Sequence, residues 1–128
     1  LLFITMCRIA GVPARWQAGL YANPRDIGCH DWAQFYIEPY GWLYADCSFG
    51  GGAYRDDVKE RREFYFGNLD PFRIPMNSEF GWEFTPPMKR PGSDPYDNQT
   101  GEAEYGDRAL IRDELDTAHE IIEIREIE

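Results

Sequence analysis

The sequence predicts an α+β domain in which an antiparallel sheet packs against a helix. Three observations lead to this fold class: the first ten residues have the apolar spacing of a helix, residues 14–18 have the composition of a short strand, and residues 30–48 have that of an aromatic β-hairpin. The 128 residues are 43% hydrophobic and 16% aromatic, which is enough apolar material to build a core.

The N-terminal segment is predicted to form the last turns of a buried helix. Leu2, Met6 and Ile9 recur at three- and four-residue spacing and would form one apolar face. Gly11 follows where helices commonly end with a glycine. The chain begins inside this helix, at Leu1 rather than at a methionine, so we expect it to be a fragment or a processed product.

The middle of the chain is predicted to be mainly sheet. A polar turn at residues 23–26 follows the first strand, and Pro39-Tyr40-Gly41 supplies the turn of the hairpin. The three glycines at 50–52 predict a flexible loop, residues 56–62 a short charged helix, and residues 63–66 a further strand.

The C-terminal part offers weaker patterns. Residues 70–98 contain most of the nine prolines, interleaved with aromatic side chains, which predicts an ordered loop packed by aromatics. Four isoleucines among charges at residues 119–128 predict a strand, although their spacing also fits a helix.

The candidate site is the pair His30 and Asp46, at opposite ends of the predicted hairpin. Their separation, 46 − 30 = 16 residues, is even and centred on Glu38, so a hairpin turning there would place them opposite each other and on one face. A carboxylate beside an imidazole fixes the tautomer of the histidine and stabilises its protonated form. By itself such a pair also fits an ordinary half-buried histidine.

Three motifs around this pair resemble, in order and spacing, the signature of the transglutaminase-like superfamily. They are Gly11-Val12-Pro13-Ala14-Arg15, His30-x-Trp32-x-x-x-Tyr36 and Gly41-Trp42-x-x-x-Asp46-x-Ser48. The resemblance is close from Leu1 to about Ser48. Residues 64–71 and 93–102 also resemble the C-terminal part of bacterial domains of this kind, as a loop network that buttresses the hairpin or, alternatively, contacts substrate.

The resemblance implies a transglutaminase/papain-like cysteine-protease fold, with residues 1–128 forming the C-terminal part of a single domain truncated at its N-terminus. In that family, the helix before the first motif begins with the catalytic cysteine. His30 matches the general base and Asp46 the carboxylate that orients it. The nucleophile has no match, and family spacing implies that it lies about four to six residues before Leu1, where a helix N-terminus favours a thiolate.

The three visible cysteines are poor substitutes for that nucleophile. Cys7 lies near the C-terminal end of the predicted helix, the wrong pole for a thiolate, and is expected to pack as a small apolar residue. Cys29 adjoins His30 and Cys47 adjoins Asp46, so adjacent side chains on a strand would point to opposite faces. A zinc site formed by Cys29, His30 and Cys47 lacks the paired spacing of known ligand sets, and we predict neither a metal nor a cofactor.

The resemblance implies acyl transfer on amide bonds of a protein or peptide substrate, with hydrolysis favoured over cross-linking and an extracellular or periplasmic location. The net charge of −10 opposes binding to nucleic acid. No apolar run is long enough for a membrane span. Oligomeric state does not follow from the sequence.

Two alternatives remain open at this level. A non-catalytic member of the superfamily would keep the fold for binding or scaffolding, and the residues before Leu1 would distinguish it from an enzyme. A carbohydrate-binding domain would instead use the tryptophans at positions 16, 32, 42 and 82 as an aromatic platform.

Overall fold

The computed structural model describes residues 1–81, 83–90 and 102–127 of the chain. Its elements in chain order are α1 (Leu2–Ile9), β1 (Ala14–Asn23), β2 (Asp26–Ile37), β3 (Gly41–Ala45), α2 (Cys47–Arg55), α3 (Lys59–Phe64), β4 (Phe66–Gly67), β5 (Arg73–Asn77), β6 (Glu104–Tyr105), β7 (Arg108–Ala109) and a 3-10 helix (Arg112–Glu114). Helices and antiparallel strands are both present, so the predicted α+β class is confirmed.

One antiparallel sheet carries most of the architecture, with strands in the order β4-β3-β2-β1-β5. The strands β1 and β2 are joined by a two-residue turn, with Asn23 paired to Asp26. The strands β2 and β3 form the predicted aromatic hairpin, with Ile37 paired to Gly41. Both turns lie where the sequence predicts them, because proline, asparagine and glycine favour the backbone angles that turns require.

The helix α1 ends as predicted but buries a different face. Gly11 has a φ of +77°, and the backbone N–H groups of Gly11 and Val12 donate to the carbonyl oxygens of Arg8 and Cys7, which is the Schellman arrangement. The predicted face of Leu2, Met6 and Ile9 is exposed, and Ile4 is buried instead. The prediction of the face is wrong because this helix has apolar residues on more than one side, so its periodicity does not select one.

The core lies between α1 and one face of the sheet. Ile4 of α1 meets small and aromatic residues from all three long strands, which alternate along each strand as residues on a single face must. The buried members of this cluster are Ile4, Ala14, Ala33, Phe35 and Ala45. Alanines at the contact positions let the helix approach the sheet closely, and Phe35 fills the remaining space. The opposite face of the sheet is left for the polar side chains described below.

Two predictions between residues 50 and 66 are wrong. The glycines at 50–52 lie inside α2 rather than in a loop, and residues 63–66 span the end of α3 and the start of β4 rather than a strand. The charged helix predicted at 56–62 corresponds to α3 but begins and ends later. Tertiary contacts outweigh local propensity in this region, since Ala53 of α2 is fully buried.

The C-terminal part also differs from prediction. The segment predicted as ordered loop contains the strand β5, which pairs with β1. Residues 119–127 have neither strand nor helix, and Ile122 and Ile127 are exposed. Of the helices in the described ranges, none combines the length and hydrophobicity that crossing a bilayer requires. Trp82 and the part of the 93–102 resemblance that covers residues 93–101 lie outside the described residues.

Candidate functional site

His30 and Asp46 are in direct contact. Nε2 of His30 lies 2.7 Å from Oδ2 of Asp46. The predicted register, however, is wrong by two residues: the hairpin pairs Ala33 with Ala45, so Asp46 follows the end of β3 at the level of Trp32, and His30 is opposite Gly19 of β1. A shift of two preserves the face on which a side chain lies, so the two side chains still meet diagonally.

Asp46 is the largest fully buried side chain in the described residues, with 1% of the residue exposed. Its Oδ1 accepts hydrogen bonds from the backbone N–H groups of Ser48 (3.0 Å) and Phe49 (2.9 Å), so Asp46 caps the N-terminus of α2. Burial by itself would raise the pKa of Asp46. The hydrogen bonds from His30 and Phe49, and the positive charge of Arg73, outweigh burial and hold that pKa below its ordinary value.

The His30 ring is fixed from several sides. Its side chain is 17% exposed, and its centroid lies 4.8 Å from that of Phe49 and 6.4 Å from that of Tyr21. Because Nε2 faces Asp46, Nδ1 is the nitrogen left to exchange a proton with a reacting group. The ring therefore has one nitrogen anchored by Asp46 and one nitrogen outside that contact.

Arg73 of β5 completes the site and was not predicted from the sequence. Its side chain is 4% exposed, and its Nη1 lies 2.8 Å from Oδ2 of Asp46, the same oxygen that contacts His30. Its Nε and Nη2 donate to Oδ2 of Asp70 at 3.1 and 2.8 Å. Burial would lower the pKa of the guanidinium, but Asp70 and Asp46 raise it. The available sequence signal was a lone arginine between Phe72 and Ile74, three residues after Asp70.

Residues from the second region of resemblance support this network. The hydroxyl of Tyr65 donates to Oδ2 of Asp70 at 3.0 Å, and the carbonyl oxygen of Tyr65 accepts from the backbone N–H of Asp46 at 3.0 Å. Oδ1 of Asp70 also accepts a hydrogen bond from the backbone N–H of Phe72, the residue before β5. These contacts agree with the buttressing interpretation of residues 64–71.

The N-terminal end of α1 is close to the residues that follow Asp46. Leu1 and Ile4 line a cavity of about 180 Å³ together with Trp32, Cys47 and Ser48. Trp32 is two residues from His30 and lies on its face of the sheet. Ala33 and Ala45 also line this cavity and lie on the sheet face that packs against α1, whereas His30 lies on the opposite face. The backbone dipole of α1 favours negative charge at its N-terminal end.

The three cysteines lie in different elements, and Cys47 begins α2 rather than lying on a strand as the sequence analysis expected. Cys7 packs against the core, as predicted. Cys29 lies next to His30 on β2, so its side chain is on the other face of the sheet. Burial and the adjacent Asp46 carboxylate raise the pKa of the Cys47 thiol, which disfavours a thiolate. The described residues contain no group of three or more His, Cys, Asp or Glu side chains that could hold a metal ion.

Two tryptophans within the described residues, Trp32 and Trp42, have partners inside the molecule. Trp32 is only 3% exposed, and its Nε1 donates to Gln17 at 2.7 Å. Trp42 is exposed at the surface, but the guanidinium of Arg15 covers its ring at 4.1 Å.

Comparison with known proteins agrees with the sequence motifs. Residues 1–47 match the family model of the transglutaminase-like superfamily. This range contains both His30 and Asp46, and it ends one residue after Asp46. The resemblance inferred from the three motifs is therefore confirmed for this part of the chain. The comparisons with curated proteins and with solved structures gave no match.

Proposed function

From the transglutaminase-like sequence of residues 1–47, we propose that this chain carries the histidine and aspartate of a Cys-His-Asp thiol enzyme that acts on amide bonds. In this proposal His30 is the general acid and base, and Asp46 orients it. Residues 1–128 form the C-terminal part of a single transglutaminase/papain-like domain. The nucleophilic cysteine precedes Leu1, as the family spacing implies.

The single observation that carries the proposal is the 2.7 Å contact between Nε2 of His30 and Oδ2 of Asp46. A buried carboxylate is costly unless it is paired and hydrogen-bonded, and Asp46 is both. The contact anchors one ring nitrogen and leaves Nδ1 for a thiol. It also stabilises the imidazolium that forms when the thiol is deprotonated.

The proposed reaction is acyl transfer. The cysteine thiolate attacks the carbonyl carbon of a protein or peptide amide and forms a C–S bond. The His30 imidazolium donates its Nδ1 proton to the leaving nitrogen as the C–N bond breaks, which releases an amine and leaves a thioester. His30 then takes a proton from water, and the resulting hydroxide adds to the carbonyl carbon of the thioester to form a tetrahedral intermediate. The C–S bond of this intermediate breaks, which releases the carboxylic acid and regenerates the thiolate–imidazolium pair.

Water as the acceptor makes the enzyme a peptidase or amidase, whereas an amine acceptor would make it a cross-linker. We favour hydrolysis, because the family resemblance implies hydrolysis rather than cross-linking. A nucleophile at a helix N-terminus also suits the proposed chemistry, because the backbone dipole there favours the thiolate. Cys7 and Cys29 lack this advantage, and at Cys47, the first residue of α2, burial and the Asp46 carboxylate raise the thiol pKa.

The test compares the two histidines of the chain, His30 and His119, in the full natural protein. His30→Asn should lower thiol-dependent amide hydrolysis by at least about 100-fold, because the general acid and base is removed. His119→Asn, at an exposed position in the C-terminal segment, should retain full activity. Turnover of peptide amides is measured with and without iodoacetamide, and circular dichroism verifies folding.

Mass spectrometry locates the reactive thiol in the same protein. Iodoacetamide should label a cysteine before Leu1 faster than Cys7, Cys29 or Cys47. Full activity of His30→Asn would remove His30 from the mechanism. Alanine or serine at the position of the upstream cysteine would instead favour a non-catalytic binding domain.

A further inference from the structure

The guanidinium of Arg73 lies behind the His30–Asp46 contact and joins it to a second carboxylate. Its Nη1 is 2.8 Å from Oδ2 of Asp46, and its Nη2 is 2.8 Å from Oδ2 of Asp70. Phe49 and Tyr21 cover the guanidinium, with ring centroids 4.5 and 4.9 Å from Cζ. The aromatic cover excludes water, so both ion pairs act in a medium of low dielectric constant.

The contact of Arg73 with Asp46 is an ion pair without the alignment of a hydrogen bond. Nη1 has no hydrogen-bond partner within the described residues, although it lies 2.8 Å from Oδ2. His30 contacts the same oxygen at hydrogen-bond distance. His30 therefore forms the hydrogen bond to Oδ2 of Asp46. Arg73 contributes a positive charge beside the same oxygen and restrains its position.

The charges of this network balance when His30 is protonated. Arg73 and Asp70 neutralise each other, which leaves the negative charge of Asp46 for the imidazolium. Asp70 in turn holds the guanidinium through Nε and Nη2, a two-point contact that an ammonium group does not provide. Arg73 can thus hold Asp46 in place without cancelling the charge that His30 requires.

We propose that Arg73 is a positioning residue that fixes the Asp46 carboxylate for its contact with His30, and that Asp70 holds Arg73 in that position. The expected effect of Arg73 on catalytic turnover rests on the proposed function, whereas its ion pair with Asp46 is independent of that function. Oδ1 of Asp46 is committed to the start of α2, so Arg73 restrains the one oxygen that serves His30. Loss of Arg73 leaves Oδ2 bound by His30 alone.

The experiment compares Arg73→Gln, Arg73→Lys and the control Arg108→Gln in the full natural protein. Arg108 has a similar ion pair, 2.6 Å from Glu114, but it is exposed and lies away from the network. Arg73→Gln should lower kcat per titrated thiol by about 10- to 100-fold with KM changed less than about threefold, because orientation rather than binding is lost. Arg73→Lys should recover part of kcat, and Arg108→Gln should match the unmutated protein.

A second measurement does not depend on activity. The Asp46 carboxyl is titrated by ¹³C NMR. The charged and titratable groups that face it, or that pack on its partners, are His30 of β2, Arg73 of β5, Cys47 of α2, Tyr21 of β1, Arg61 of α3, and Tyr65 and Asp70 between α3 and β5. Arg73→Gln should raise the pKa of Asp46 by about one unit or more, since a neighbouring positive charge is removed. Arg73→Lys should leave it nearly unchanged.

The outcomes separate the two proposals. Equal Asp46 titration in Arg73→Gln and Arg108→Gln would overturn the positioning role, whatever the activity. Unchanged kcat per titrated thiol in Arg73→Gln, with lower thermal stability alone, would reduce Arg73 to a structural residue and overturn it too. Absence of thiol-dependent turnover in the unmutated protein overturns the proposed function, and the hold of Arg73 on Asp46 is then judged by the titration. If Arg73→Gln does not fold, Asp70→Asn is tested instead: it should lower kcat per titrated thiol with KM little changed, because the guanidinium loses the two-point contact that holds it. Unchanged kcat in Asp70→Asn would overturn the positioning role.

Discussion

At the scale of single residues, Asp46 joins three parts of the molecule through one carboxylate. Oδ1 caps α2, and Oδ2 contacts both His30 and Arg73. Each oxygen thus has a separate task, one for the fold and one for the candidate site. The position of this residue at the boundary of β3 and α2 explains how a helix start and an imidazole can share it.

Asp46→Asn is expected to lower the free energy of unfolding by about 1–3 kcal/mol near neutral pH, because His30 and the buried Arg73 each lose a charged partner while Asp70 still pairs with Arg73. The pKa of Asp46 is lowered in the fold, so its contribution to stability is fully present above the unfolded value of 3.8 and is lost as pH falls through the folded value. The difference between the two proteins should therefore shrink in acid. Urea unfolding at about pH 7 and about pH 2.5 measures both effects.

The control for this prediction is Glu114→Gln, which removes the acidic partner of the exposed Arg108. An exposed ion pair contributes little to stability because water screens it, so this variant should unfold almost as the unmutated protein does. An Asp46→Asn variant as stable as Glu114→Gln at neutral pH would contradict the buried network.

At the scale of elements, α2 is where sequence patterns failed most clearly. Three consecutive glycines predict a loop, since glycine is a poor helix former. The helix forms because Asp46 caps its N-terminus, Phe49 packs on His30, and Ala53 is fully buried. None of these contacts is visible in the local sequence, whereas the turns of the two hairpins were predictable because they depend on residues within the turn itself.

Gly51→Ala should raise the free energy of unfolding by about 0.5–1 kcal/mol, since alanine favours a helix and no atom within 4 Å obstructs the added Cβ. Thermal unfolding measures the change. Gly41→Ala is the matched control: the same open space surrounds it, but its φ of +82° disfavours a side chain, so stability should fall. A loss of stability in Gly51→Ala would indicate that this segment is not helical in solution.

At the scale of the whole molecule, the candidate site depends on strands that are far apart in sequence. The aromatic hairpin and the His30–Asp46 pair could be predicted because motif spacing and local pairing define them. Arg73 could not, because it reaches Asp46 only after β5 pairs with β1, some fifty residues earlier in the chain. Pro75 also obscures β5, since proline cannot donate to a strand ladder.

Gly19 is the position that allows this long-range pairing. It lies opposite His30 on one side and Pro75 on the other, at a register shift between β1 and β5. An added Cβ would overlap the carbonyl oxygen of Ile74, so the backbone of β5 approaches more closely than any side chain at this position permits. The absence of a side chain here brings β5, and with it Arg73, to the sheet.

Gly19→Ala should therefore lower the free energy of unfolding by about 1–3 kcal/mol and weaken the protection of β5 amides, because the backbone must shift to admit the methyl group. Gly28→Ala in the same hairpin is the control, since nothing lies within 4 Å of its added Cβ. Denaturant unfolding and native-state hydrogen exchange measure the two effects. Unchanged hydrogen-exchange protection of the amides of residues 73–77 in Gly19→Ala would mean that β5 does not pair with β1 in this register. The contact between Arg73 and Asp46, which depends on that pairing, would then be contradicted.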